Sequence, residues 1–304
     1  MQIFLTGASG FIGSHVLQAL CQNGHAVTCL VRKSSKKNPL GQHAQEADAY
    51  SGRLNIVEAE WTNPNDWLQH IAGHDVVINA VGIIREKHKG EFDTVHSRVP
   101  IALFQQAAAS GVSKIIQISA MGADELAASK YHLSKREADR YLSQLQVAHV
   151  VIRPSFVYGS GGSSMAFFAR LAAQPVTPVP GDGQYRVQPI YIDDLVNAIT
   201  ISVEREHLRS VTVDAGGGEI LTFDRMLDLL GHQLEKKVKH LHIPWRVIDL
   251  VASVTDLFGG LGPITSEEVS MLKRGSFSDN RKFVECFGFE PLSFSEGITL
   301  PGAI

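Results

Sequence analysis

Cysteine is scarce in this sequence: only Cys21, Cys29 and Cys286 occur among 304 residues. Thiols so spaced make neither a disulfide framework nor a cysteine-ligated metal site, and no metal site is read from the chain. The fold must therefore rest on an apolar core, and a reducing cytoplasm suits it. Long apolar runs are also missing. None reaches the roughly 20 residues of a membrane span, and strand-like residues begin at once where a leader peptide would show a charged and then an apolar stretch. Charge of one sign is not in excess. Lys and Arg number 28 against 31 Asp and Glu, a net charge of −3, which excludes whole-chain attraction to nucleic acid or to an anionic membrane. No repeat or low-complexity tract occurs. What remains is ordinary composition, 44% hydrophobic, enough for one large domain or two intimate ones.

The chain is organised around its first thirteen residues, MQIFLTGASGFIG. Gln2 to Leu5 is a short apolar run of the kind that forms a buried parallel strand. Thr6, Gly7, Ala8, Ser9, Gly10, Phe11, Ile12 and Gly13 follow, and Ser14 to Asn23 reads as a helix. A strand, a glycine turn and a helix N-terminus together make an anion site, because free backbone N–H groups and the positive dipole end face the same point. Gly7 permits the turn, Gly10 lets a pyrophosphate approach the backbone, and Gly13 lets the helix pack on the strand.

Further strands are predicted at Ala26–Val31, Leu54–Ala59, Asp75–Val81, Lys114–Ser119 and Ala148–Ile152. Helices are predicted at Trp61–Ala72, Phe92–Ser110 and Tyr131–Gln144. Alternation of this kind predicts an α/β fold with a doubly wound, parallel Rossmann-type sheet and right-handed crossovers. The sheet domain is expected over residues 1–158, with 190–202 returning to it. Residues 159–304 read as a smaller, mostly helical C-terminal cap around the substrate.

Three positions carry chemistry. At the end of the second strand a chain that prefers NAD carries an acidic residue for the ribose 2′-OH. Here the positions are Val31, Arg32 and Lys33. A guanidinium at Arg32 can fork onto a 2′-phosphate, so NADP(H) is expected over NAD(H), although Lys36 and Lys37 also fit a solvated basic loop. Tyr131 and Lys135 stand at i and i+4, which puts both on one helix face. An ammonium beside a phenol is expected to lower its pKa toward neutrality and fit it to exchange a proton with a carbonyl. Ser119 closes the fifth strand and either hydrogen bonds a substrate carbonyl or simply ends the strand.

TGASGFIG resembles the dinucleotide loop of the extended, atypical branch of the short-chain dehydrogenase/reductase superfamily, and Tyr131–Lys135 resembles its catalytic pair. The resemblance implies that Lys135 also holds the nicotinamide ribose. It implies that Glu60 lies near adenine, that Ala80, Val81 and Gly82 pass the cofactor, and that Pro154 and Val157 run beside the nicotinamide. His96 replaces an asparagine, Met121 stands where a second hydroxyl is expected, and Arg186 resembles a substrate-side arginine. VSKIIQISAMGAD, GDGQYRVQPIYIDDLVNAI and PITSEEVSMLKRG are similar to atypical reductases related to the NADPH-binding accessory subunit of respiratory complex I. That similarity implies tightly held NADPH and a link to quinone metabolism or respiratory assembly. It leaves three functions open: a slow reductase of a carbonyl or quinone-like compound, a non-catalytic NADPH-binding assembly or redox-sensing protein, and a nucleotide-sugar epimerase or dehydratase.

One further stretch stands out. Residues 244–262 place Val247, Ile248, Leu250, Val251, Val254, Leu257 and Phe258 at helical spacing, between a leading proline and trailing glycines. Its apolar face either packs inside the cap or docks a hydrophobic or membrane-associated partner, which would make the protein peripheral to the inner membrane.

Overall fold

The computed structural model describes residues 1–32, 53–257, 262–299 and 302–303. Lys33, Lys36, Lys37 and Phe258, singled out above, lie outside the described residues. Strand and helix alternate through the first half: β1 (Gln2–Thr6), α1 (Phe11–Gln22), β2 (Ala26–Val31), β3 (Leu54–Glu58), β4 (Val76–Asn79), α2 (Val99–Ala109), β5 (Lys114–Ile118), α3 (Lys130–Gln144) and β6 (Ala148–Pro154). Shorter elements follow: β7 (Val157–Tyr158), α4 (Ser163–Ala172), β8 (Thr177–Pro180), β9 (Arg186–Val187) and β10 (Ile190–Tyr191), then α5 (Ile192–Glu204), β11 (Val211–Ala215) and β12 (Leu221–Thr222). The chain closes with α6 (Phe223–Gln233), β13 (His240–Ile243), α7 (Trp245–Leu257), α8 (Ser266–Arg274), α9 (Arg281–Phe287) and α10 (Phe294–Gly297).

Seven of these strands form one parallel sheet in the order β11-β6-β5-β4-β1-β2-β3. β1 sits inside it, with Ile3 opposite Val27 on one side and Val76 on the other. That position explains the uninterrupted apolar run, because both faces of β1 are covered. Ile3 and Leu5 face a cluster with α1 and α5, while Phe4 faces Trp67, Leu103 and Phe104 on the opposite side. The strand order reverses between β1 and β4, which in a doubly wound sheet opens a crevice at the carboxyl ends of the strands.

Local structure departs from the periodic reading in three places. The helix expected over 61–72 is instead two 3₁₀ turns, Pro64–Asp66 and Leu68–Ile71. Trp67 leaves helical geometry between them (φ −136°) and buries its indole against Trp61, the rings 5.1 Å apart. The helix expected over 92–110 opens as a π-helical stretch, Asp93–Arg98, before continuing as α2. Val211–Ala215, which falls in the cap by sequence, pairs with β6 and extends the sheet. Lys114, buried at the start of β5, donates to the carbonyls of Ser202 (2.8 Å) and Arg205 (2.7 Å) at the end of α5. That places a cation on the negative end of the helix.

The remaining elements pack on a separate core of Tyr158, Phe168, Phe223, Leu227 and Phe294. Among the described residues, no helix is long and apolar enough to cross a membrane.

Candidate active site

The glycine loop is shaped by close backbone approach. Gly7 adopts φ +78°, and a Cβ there would lie 2.7 Å from the Ala80 carbonyl. A Cβ on Gly13 would lie 2.1 Å from the Gly7 oxygen, so α1 cannot pack on the loop with any other residue there. Gly10 differs: a Cβ on it would meet only the Gly7 oxygen, at 3.2 Å. The protein's own packing needs Gly7 and Gly13, whereas Gly10 leaves its outer side open. At the start of α1 no side chain caps the helix and no acidic residue occupies the first turn, so its N–H groups and dipole face that open side. Ala8 is buried beneath the loop, Ser9 is exposed, and Phe11 and Ile12 are half-buried. These residues fit a dinucleotide pyrophosphate. Arg32 follows directly on β2 and is exposed, as is Glu60 after β3.

A buried polar chain ties the loop after β4 to this frame. Thr6 Oγ1 donates to Asn79 Oδ1 (2.7 Å), Asn79 Nδ2 donates to Gln117 Oε1 (2.8 Å), and the Val81 N–H donates to Asn79 Oδ1 (3.2 Å). Three neighbouring strands are thereby locked at their carboxyl ends, and Ala80, Val81 and Gly82 are held in front of the glycine loop.

α3 brings its functional side chains to this loop. Ser129 caps it by accepting from the His132 N–H (3.2 Å). Lys135 is buried, and its Nζ donates to the carbonyls of Ile118 (3.1 Å) and Val81 (3.4 Å). A Cβ on Gly82 would stand 3.3 Å from that Nζ, so the ammonium lies against the bare backbone of Gly82. Burial lowers its pKa to about 8, against a counter-pull from Asp139. Tyr131 is half-buried, edge-on to Phe92 (5.8 Å), His96 (5.4 Å) and His132 (5.2 Å). Its pKa is not lowered as the Tyr–Lys spacing suggests. Burial among these rings pushes it up to about 12. The phenol therefore keeps its proton at neutral pH, the form that acts as an acid.

His96 belongs to the same assembly. Its Nε2 accepts from the Ile83 N–H (3.0 Å), which leaves the proton on Nδ1. Nδ1 donates to Ser134 Oγ (3.2 Å), and that hydroxyl donates to the Tyr131 carbonyl (2.8 Å). Burial, helped by the Lys135 ammonium, lowers the imidazole pKa to about 2, so it stays neutral. His96 lies within the π-helical stretch, a geometry common at functional sites.

Ser119 is turned elsewhere. Its buried hydroxyl donates to Asp139 Oδ2 (2.8 Å), the oxygen that also accepts from Arg153 Nε (3.0 Å). Asp139 stands on α3 two turns beyond Tyr131, on the same face. Met121 is buried beside it, its N–H donating to the Pro154 carbonyl (2.9 Å). Pro154 ends β6 and Val157 pairs with Ile190. Arg186 is exposed, with its guanidinium over the Phe277 ring. The sequence reading missed Asn79, Gln117 and Asp139. Its only signal for the first two is a polar residue inside an apolar strand, and for the third a carboxylate four residues beyond Lys135.

A model of the NAD dependent epimerase/dehydratase family matches residues 3–213. The chain belongs to that family. It is an NAD(P)-dependent epimerase/dehydratase-type short-chain dehydrogenase/reductase. It is 24% identical over 260 residues to a ceramide reductase of Caulobacter vibrioides, covering 85% of this chain and 78% of that one. It is 18% identical over 248 residues to the mitochondrial NADH-ubiquinone oxidoreductase 40 kDa subunit of Neurospora crassa, covering 82% of this chain but only 64% of the subunit. The resemblance to complex I accessory subunits is thus upheld. Among solved structures, a UDP-glucose 4-epimerase of Thermotoga maritima with UDP-glucose superposes with a TM-score of 0.76, at 22% identity over 99% of this chain and 97% of that one. That likeness establishes the shared fold.

Proposed function

We propose that the protein is an NADP(H)-dependent reductase of an apolar carbonyl compound, limited by a slow chemical step. The observation that carries this reading is the Tyr131–Lys135 pair, with the Lys135 ammonium against Gly82 in front of the glycine loop. The bound cofactor supplies the hydride. The loop N–H groups and the start of α1 hold its pyrophosphate, Arg32 holds the 2′-phosphate, and Lys135 holds the nicotinamide ribose. Tyr131, protonated at neutral pH, donates a proton to the oxygen of the reduced carbonyl. Ser119 is engaged by Asp139, so that oxygen lacks the usual serine donor. A missing donor of this kind costs about a hundredfold or more in rate.

An apolar substrate is supported from two sides. One relative is a ceramide reductase. The α7 helix carries an exposed apolar stripe of Val247, Leu250, Val251, Val254 and Leu257. α7 packs on α8, which is tied to the site: Arg274 binds the Asp124 carboxylate (2.6 Å), and Glu267 accepts from the Lys130 N–H at the start of α3 (2.7 Å). In this reading the stripe meets a bilayer and gives a lipid-borne substrate a route to Tyr131.

The test is a screen of long-chain ketones, quinones and sugar nucleotides with NADPH and NADH. We expect slow oxidation of NADPH with an apolar carbonyl, abolished in Tyr131→Phe with cofactor binding intact. Arg32→Ala should cost about tenfold in NADPH affinity and leave NADH unchanged. Fast turnover of a sugar nucleotide would overturn the reading. A second reading is favoured by the engagement of Ser119 and by relatedness to the 40 kDa subunit: a non-catalytic NADPH-binding assembly protein. Tight NADPH binding with no turnover of any carbonyl would decide for it.

A further inference from the structure

Away from the nicotinamide site, three side chains converge at one end of the second core. His240 and His242 alternate along β13, so both face the same side of the strand. Asp224 lies opposite them in the first turn of α6. Its Oδ2 is 2.8 Å from His242 Nε2, and its Oδ1 is 3.4 Å from His240 Nδ1. One ligand atom from each residue falls within 4.8 Å of the other two. Donors around a tetrahedral zinc ion stand about 3.3 Å apart, given bonds of roughly 2.0 Å. We propose that Asp224, His240 and His242 bind a divalent transition ion of the zinc type.

Three further observations point the same way. Asp224 Oδ1 is buried and has no hydrogen-bond partner, although His240 Nδ1 is close. A buried acceptor left without a donor is costly, and a cation removes that cost. The carboxylate is held in place: Gly183, at φ +70°, passes so close that a Cβ would lie 2.0 Å from Oδ1, and the Asp224 N–H donates to the Gly183 carbonyl (3.1 Å). Finally, with Nδ1 of His240 directed at the ion, its buried Nε2, which makes no hydrogen bond among the described residues, lies 3.2 Å from Asp228 Oδ1, within ion-pair reach. A metal-bound imidazole typically donates from its second nitrogen to a carboxylate, and a small rotation of Asp228 would complete that bond. Two histidines and a carboxylate suit zinc or cobalt(II) and are poor for magnesium or calcium. His242 is 44% exposed on its side chain, so the ion has a path in, and water takes the fourth position. β13 leads through Pro244 directly into α7, so the ion would brace the root of that helix.

The experiment titrates metal-free full-length protein with Zn²⁺ by calorimetry and with Co²⁺ by visible absorption. We expect one equivalent of Zn²⁺ to bind, a raised thermal midpoint, and the intense visible bands of four-coordinate Co²⁺. His242→Ala should lower Zn²⁺ affinity about a hundredfold or more, and Asp228→Asn about tenfold to a hundredfold. His70→Ala, an exposed histidine in another part of the fold, should change nothing. If His242→Ala fails to fold, the Co²⁺ spectrum and affinity of Asp228→Asn decide alone. Equal Zn²⁺ affinity in wild type and the variants, or no stoichiometric binding at micromolar Zn²⁺, would overturn the proposal and leave a plain carboxylate–imidazole cluster.

Discussion

Lys135 keeps a charge where burial disfavours it. Its folded-state pKa of about 8 lies below the ordinary 10.5. Between these values the unfolded chain holds a proton that the folded chain has released, so stability rises with pH across that window. Below about pH 8 the penalty is present in full, on the order of 3 kcal/mol. Thermal melts of wild type and Lys135→Met from pH 7 to 10.5 should therefore converge toward high pH, with wild type gaining on the variant. Ser119 makes the complementary case. Its hydroxyl serves Asp139, so Ser119→Ala should cost about 1–3 kcal/mol in denaturant unfolding. Turnover should change less than tenfold. A hundredfold loss of turnover with unchanged stability would mean that the hydroxyl reaches substrate after all.

At the level of elements, the loop between β1 and α1 separates two kinds of glycine. Gly13 has the Gly7 carbonyl where its Cβ would be, so Gly13→Ala must push α1 off the sheet. We expect a loss of several kcal/mol, on the scale of overpacking, read in thermal or denaturant melts. Gly10 has extended backbone (φ −84°, ψ 169°) and an open outer side. Gly10→Ala, whose Cβ would press on the Gly7 oxygen at 3.2 Å, should lose far less stability than Gly13→Ala and bind NADPH at least about tenfold more weakly, because its methyl group occupies the path of the pyrophosphate. Equal loss of stability in both variants would remove the distinction. α3 shows the same economy. One face carries Tyr131, Lys135 and Asp139: Lys135 reaches the Val81 carbonyl, Tyr131 packs edge-on to His96, and Asp139 takes the Ser119 hydroxyl.

For the whole molecule, the exposed side of α7 is the feature a soluble core does not explain. Ile248, Ala252 and Thr255 are buried against the rest of the chain, while Leu250 and Leu257 are 67% and 83% exposed. Net charge is only −3, so attraction to a bilayer has to come from the apolar stripe. Binding to uncharged phosphatidylcholine vesicles in flotation assays should therefore persist at 0.5 M salt, which screens surface charge within a few ångströms. Leu250→Glu with Leu257→Glu should abolish flotation and shift stability by no more than about 0.5 kcal/mol, as for surface positions generally. Flotation unchanged in that double variant would end the membrane reading of α7.

Sequence alone settled what depends on spacing along the chain. Apolar runs between helical periods specify a parallel sheet, since a strand covered on both faces has no polar alternation. Glycines at 7 and 13 after such a run specify the tight strand-to-helix turn, because backbone reach is local. Tyr131 and Lys135 share a face because a helix returns every four residues. Contacts between distant segments were decided only in three dimensions. Trp67 broke an expected helix because Trp61 offered it a stacking partner, and tertiary packing outweighed propensity. Val211–Ala215 joined the sheet because β6 left an edge to be paired. The Tyr131 phenol rose rather than fell in pKa because the fold buries it among the rings of Phe92, His96 and His132. Ser119 met Asp139 from 20 residues away, and Asp224 met two histidines from β13, encounters that no local periodicity encodes. Amphipathic spacing foretold the α7 helix, but which of its sides lies in water depends on where α8 packs, and that is a property of the folded chain.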